Sequence, residues 1–214
     1  MQKEDKEASI WGIRGHTLEI LGKHKEALAC FDKAIELNPN DAAAWGGKGS
    51  TLVGLRKYKE ALACFDKAIE LNPNDAETWN MKGLTLEMVG KIQDAITCYN
   101  KALEINPNLV HIWTNKGASL DKLGKHKEAL ACFDKALEID PNFVLAFHSK
   151  GLVFVKLGKY EEALACFDKV IELDPNDAPA WYMKGAILES LGKHEESLAC
   201  YNKINELAKR YGIA

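Results

Sequence analysis

The chain repeats itself every 34 residues, and that period constrains its fold more than any local pattern. The segment Lys25–Ala42, KEALACFDKAIELNPNDA, recurs letter for letter at Lys59–Ala76. Trp11, Trp45, Trp79, Trp113, Phe147 and Trp181 fall at the same interval, with no insertion or deletion between them. A fixed period in this range is the signature of a solenoid, whose units bury their apolar faces by stacking on neighbours. Function then lies in the positions where the copies differ.

One unit, residues 42–75, shows what each copy encodes. Asp41 can cap a helix over AAAWGGKGSTLVGL, in which Trp45, Leu52 and Leu55 share one face. A break at Arg56-Lys57 precedes a second helix from Tyr58 to Leu71, and Asn72-Pro73-Asn74-Asp75 stops it. Gly15, Gly49, Gly83, Gly117, Gly151 and Gly185 lie inside the first helices. Glycine there costs about 1 kcal/mol relative to alanine, so a packing reason is expected. The small slot Ala27, Ala61, Ala95, Ala129, Ala163 and Ser197 reads as the place where the second helix crosses.

Bulk chemistry narrows the function. Lys and Arg number 28 against 31 Asp and Glu, a net charge of −3, which argues against a general nucleic-acid binder. No apolar run has the length of a membrane span, and the start MQKEDKEAS is polar, so a cytoplasmic protein with no membrane contact is expected. Cys30, Cys64, Cys98, Cys132, Cys166 and Cys200 occupy one slot of the repeat. Stacked helices hold equivalent atoms roughly 10 Å apart, beyond the ~7 Å that a disulfide spans. The cysteines read as small buried residues of a reducing compartment.

The pattern W-x2-[RK]-G at Trp11–Gly15, then Leu18, Gly22, Ala27, Phe31, Ala34 and Pro39, resembles the tetratricopeptide repeat, in six copies over residues 8–211. The copies are read as 8–41, 42–75, 76–109, 110–143, 144–177 and 178–211, after a polar segment 1–7. The resemblance implies an all-α, right-handed superhelix of six helix-turn-helix units. It also implies a concave groove walled by the first helices, in which a protein or peptide partner lies. Two departures stand out. Arg56 replaces the turn glycine of Gly22, Gly90, Gly124, Gly158 and Gly192, so a strained or shifted turn is expected there. Lys209 and Asn205 replace the stop proline and an apolar slot, so the last helix should run on toward Tyr211.

The groove slots implied by the resemblance give Ser9, Gly12, His16, Glu19 and Ile20 in the first copy, and Ala43, Gly46, Ser50, Val53 and Gly54 in the second, which is a bare and shallow stretch. The third copy supplies Asn80, Leu84, Glu87 and Met88. The fourth supplies His111, Thr114, Asp121 and Lys122, with Asn115 beside them. The fifth supplies Leu145, His148, Leu152, Val155 and Lys156, and the sixth Tyr182. Apolar anchors among scattered polar groups suit an extended or helical peptide, so copies three to five are the expected binding stretch. A clamp for a chaperone's terminal carboxylate, known in the family, is incomplete. Asn115 fits it, but Asn80 and Leu84 stand where Lys and Asn are needed.

No catalytic constellation or cofactor motif is visible, so a non-enzyme with no cofactor and no metal is expected. His111, His148 and Asp121 are the one set considered for a metal, and they lack supporting residues around them. The alternative function is a self-assembling array. Ile10 and Ile13 at one end, and Leu198, Tyr201, Ile204 and Leu207 at the other, suit head-to-tail stacking into a homo-oligomer, or the joints of a longer array.

Overall fold

The structure, a computed structural model, describes residues 3–210. Among these residues it contains twelve helices and no strand, an all-α solenoid of helical hairpins. It divides into two units. The first holds the hairpins α1 (Lys3–Ile20) with α2 (His24–Leu37), α3 (Ala42–Gly54) with α4 (Tyr58–Leu71), and α5 (Ala76–Met88) with α6 (Ile92–Ile105). The second, from Leu109, holds α7 (Val110–Lys122) with α8 (His126–Ile139), α9 (Val144–Lys156) with α10 (Tyr160–Leu173), and α11 (Ala178–Ser190) with α12 (His194–Arg210).

The units correspond to a longer period in the sequence. Leu21–Ala34 is identical to Leu123–Ala136, Tyr58 recurs as Tyr160, and Cys98-Tyr99-Asn100-Lys101 recurs as Cys200-Tyr201-Asn202-Lys203. Each unit holds a triplet of repeats, so each repeat position in the first has a counterpart 102 residues on in the second.

Each hairpin closes on an aromatic ring. A Cβ on Gly15, Gly49, Gly83, Gly117, Gly151 or Gly185 would fall 2.6–2.9 Å from a ring atom of Phe31, Phe65, Tyr99, Phe133, Phe167 or Tyr201. The glycines thus make room for the ring one slot past the cysteine, not for the alanine slot that the sequence suggests. The alanines are buried beside it: Ala27, Phe31 and Ala34 form a core cluster with Ala44 of the next hairpin.

Within each unit, polar ties join successive hairpins. The indole N–H groups of Trp45, Trp79 and Trp181 donate to the carbonyls of Pro39, Pro73 and Pro175, each at 3.0 Å. The Lys48, Lys82, Lys150 and Lys184 ammonium groups reach back 2.5–2.7 Å to Asp32, Asp66, Asp134 and Asp168. Such exposed pairs contribute little stability but hold register. Asp41, Asp75 and Asp177 cap α3, α5 and α11, while Leu109 and Phe143 leave α7 and α9 without a side-chain cap.

The turns inside the hairpins are helix C-caps in the left-handed region. Gly22 and Lys23 donate to Glu19 and Leu18 carbonyls at 2.9 and 2.8 Å, a Schellman pair. Arg56 makes the same turn at φ 60°, the one described non-glycine residue at positive φ. The turn keeps its place and the arginine bears the strain. At the end of the chain α12 runs to Arg210, past the point where proline stops the others; Tyr211 lies outside the described residues. Ile10, Ile13 and Leu198 are exposed, whereas Ala44 and Ala180, in Ile10's slot, are buried.

Two predictions follow from this backbone. Arg56→Gly should raise the urea unfolding midpoint by the equivalent of about 0.5–1 kcal/mol, because relief of left-handed strain outweighs the added freedom of the unfolded chain; an unchanged midpoint would show the turn unstrained. On α3, Gly46 has only Thr78 Oγ1 near its missing Cβ, at 3.7 Å, whereas a Cβ on Gly49 would sit 2.7 Å from the buried Phe65 ring. Gly46→Ala should therefore stabilise by about 1 kcal/mol and Gly49→Ala destabilise by about 1–3 kcal/mol in the same assay.

Candidate peptide-binding face

In the first unit the variable slots of α1, α3 and α5 surround a depression of about 290 Å³. His16 and Glu19 come from α1, and Ala43, Gly46, Gly47 and Ser50 from α3. Asp75, Glu77, Thr78 and Met81 come from the start of α5, and Phe65 of α4 reaches it from beneath. The helix-breaking cost of Gly46 and Gly47 is tolerated because α3 is clamped on both sides by packed hairpins. Gly47 is closely packed, since a Cβ there would meet Phe31 at 2.4 Å and His16 at 2.9 Å. Gly46 instead leaves open space.

Three of the six polar side chains of this depression are acidic: Glu19, Asp75 and Glu77. Asp75 accepts from the Glu77 amide at 3.1 Å and from the Thr78 hydroxyl at 2.6 Å, so its carboxylate is fixed as a cap. Glu77 accepts from the Asn80 side chain at 3.3 Å. Glu19 is partly buried, with His16 3.7 Å away. Burial pushes its carboxyl above the usual range, and the charges of His16 and His24 pull it the other way.

The residues expected to form the binding stretch are dispersed in their environments. Asn80 and Thr114 are only 4% and 2% exposed, and Thr114 donates to its own helix at Val110. Glu87 accepts from the Tyr99 hydroxyl at 2.9 Å. Leu84, His111 and Asn115 are half-buried, while Met88 and Lys122 are exposed. On α9, Leu152 and Val155 pack against the cluster of Phe167 and Ile187, and His148 lies edge-on to Phe167 at 5.5 Å. Leu145 and Tyr182 remain open, at 54% and 58% exposed.

One grouping was not legible beforehand. Asp121 holds His126 Nδ1 at 2.9 Å on one oxygen and the Lys156 ammonium at 2.5 Å on the other. Asp121 and Lys156 both lie at groove slots that the resemblance implies. Among the described residues no group of three or more His, Cys, Asp and Glu side chains is placed to hold a metal, and no helix is long and apolar enough to cross a membrane. The six cysteines are buried free thiols, and burial pushes Cys166 up to about 11, which suppresses the thiolate.

Glu19 yields a pH prediction. Its folded carboxyl holds a proton more tightly than the unfolded one, so its contribution to stability is fully present below the unfolded value and is lost as pH rises through the folded value. Glu19→Gln, which cannot ionise, should be more stable than wild type at pH 7. That advantage should disappear below the unperturbed glutamate value of 4.5. Urea titrations at both pH values test this, and an equal advantage at each would contradict it.

Comparison with known proteins gives this architecture its family. Residues 8–41, 42–75, 76–109 and 111–143 each match the tetratricopeptide repeat. Related models of the same repeat match residues 132–165, 151–192 and 178–211. No curated protein matches the chain. Among solved structures it is similar to YrrB, a TPR protein with an unusual peptide-binding site, at 29% identity over 81% of this chain and 90% of that one, with a TM-score of 0.68. PilW, a type IV pilus biogenesis factor, is 20% identical over 97% of this chain and 94% of that one at a TM-score of 0.84. PilF of Pseudomonas aeruginosa is 17% identical over 100% and 96% at 0.83. These two show the shared fold alone. The ring-on-glycine hairpins and the family matches, which span more than half of the chain, agree, and the chain belongs to the tetratricopeptide repeat family.

Proposed function

We propose that the chain is a non-catalytic scaffold that holds a segment of a partner protein against the first-helix face of its units. The observation that carries this reading is the depression between α1, α3 and α5, whose wall is formed largely by variable slots of the repeat, His16, Glu19, Ala43, Gly46, Ser50 and Glu77, over the shared ring of Phe65. The shared residues build hairpins and joints, and the wall is left over for recognition. Open apolar side chains on the same slots of the second unit, Leu145 and Tyr182, add contact area of the kind that partner segments bury. The peptide-binding site of YrrB supports the same use of the fold. The balanced surface charge favours a protein partner over a nucleic acid.

A peptide-display selection on the intact chain tests the proposal. Selected peptides should slow amide exchange on α1, α3 and α5 or on α7, α9 and α11, and leave the outer faces of α2, α4, α8 and α10 unchanged. Replacing Ser50 and Leu145 by Arg, which crowds both walls, should weaken the selected peptides about tenfold or more. Protection confined to the second helices, or binding indifferent to both replacements, would sink the reading.

A further inference from the structure

We infer that the depression between α1, α3 and α5 is a pocket for a lysine or arginine side chain of the bound segment. The inference rests on the scaffold reading above and names what one part of the groove selects.

The lining matches such a side chain along its length. Phe65 and Met81 offer apolar surface for the methylene stem, and Gly46 leaves the space that the stem needs. Glu19, Asp75 and Glu77 contribute the charge, with His16 the only basic side chain in the lining and no lysine or arginine. A cation is the complement of that field.

The second triplet supplies an independent argument. Asp121 is the counterpart of Glu19, and Lys156 is the counterpart of Gly54. In the second unit the carboxylate is met by the chain's own lysine at 2.5 Å. The molecule thus shows that this slot pairs a carboxylate with an ammonium group arriving from the next first helix. In the first unit that position is Gly54, so the partly buried Glu19 carboxylate meets no lysine of the chain; its near partner is His16, 3.7 Å away. The counterparts of Gly46 and Ser50 are His148 and Leu152, which pack on Phe167 and its cluster, so the second unit fills the space that the first leaves open. One triplet carries an internal cation and a filled wall; the other carries an open wall and a carboxylate facing it.

The test uses the whole chain and two small probes, acetyl-Gly-Lys-Gly-amide and the same peptide with norleucine in place of lysine. Titration followed by NMR should shift Ser50, Thr78 and Met81 with the lysyl probe at an affinity about tenfold above that of the norleucyl probe, the ratio that one charge-assisted hydrogen bond supplies. Glu19→Gln should bring the lysyl probe down to the norleucyl level. Gly54→Lys, which installs the lysine of the second triplet, should do the same by occupying the carboxylate from within. Equal affinities for the two probes, or a lysyl affinity unchanged in Glu19→Gln, would overturn the inference. If the lysyl probe fails while displayed peptides still protect the first helices, this pocket assignment falls and the scaffold reading stands. If the probe binds but no displayed peptide protects them, the scaffold reading falls and the pocket stands.

Discussion

The structure depends on one contact made six times, an aromatic ring pressed on a glycine in the facing helix. Helices whose side chains interdigitate keep their axes roughly 8–10 Å apart. With no Cβ at Gly83, the Tyr99 ring can occupy the place where that atom would be, 2.6 Å from its nearest carbon. The ring is fully buried, so it fills the hairpin at crystal-like density and leaves the flanking slots to alanine. Because the contact lies within a hairpin, it fixes the unit before any neighbour is added. Lysine ties, with a tryptophan tie beside three of them, then join successive hairpins within each half of the chain.

That division of labour explains why the copies can be so alike in their second helices and so unlike in their first. A second helix carries the ring, the buried cysteine, the alanines and the aspartate of the joint, so few of its positions are free. A first helix contributes glycine, tryptophan, lysine and a leucine to the frame, and its remaining slots differ from copy to copy. Glu19 sits at one of them, where burial opposes its charge.

The frame was legible in the sequence because it is periodic. The helix pairs, the strained turn at Arg56 and the buried cysteines each follow from a local rule applied at a fixed interval. The partner of the mid-helix glycines was misread because sequence alone names the small slot and the aromatic slot equally well; only the angle between the helices decides that the ring lies over the glycine. The wall was legible only as a set of slots. Asn80 and Thr114 qualify by position yet are buried, and Asp121 and Lys156 qualify separately yet pair with each other across 35 positions of sequence. Such pairs depend on rotamers and helix offset, which no period encodes. The open glycine at Gly46 did carry a signal, since it exceeds what the hairpin contact requires.

The triplet period turns this limitation into a comparison that a single unit could not provide. Gly54 and Lys156 occupy one position in two copies of the same frame, as do Glu19 and Asp121. Had both triplets lost the lysine, the carboxylate would read as drift on a solvated surface. Had both kept it, the pair would read as a joint like Lys48 with Asp32. One triplet pairs the carboxylate with a lysine and fills the wall around it with His148 and Leu152, while the other sets it near His16 alone among the lining's basic groups and has Gly46 and Ser50 in the wall. The absent lysine and the absent bulk are differences at separate positions of the same helix, Gly54 on one side and Gly46 and Ser50 on the other. They share a physical consequence: a long cationic side chain from outside finds both its charge partner and its volume in the first unit, and neither in the second.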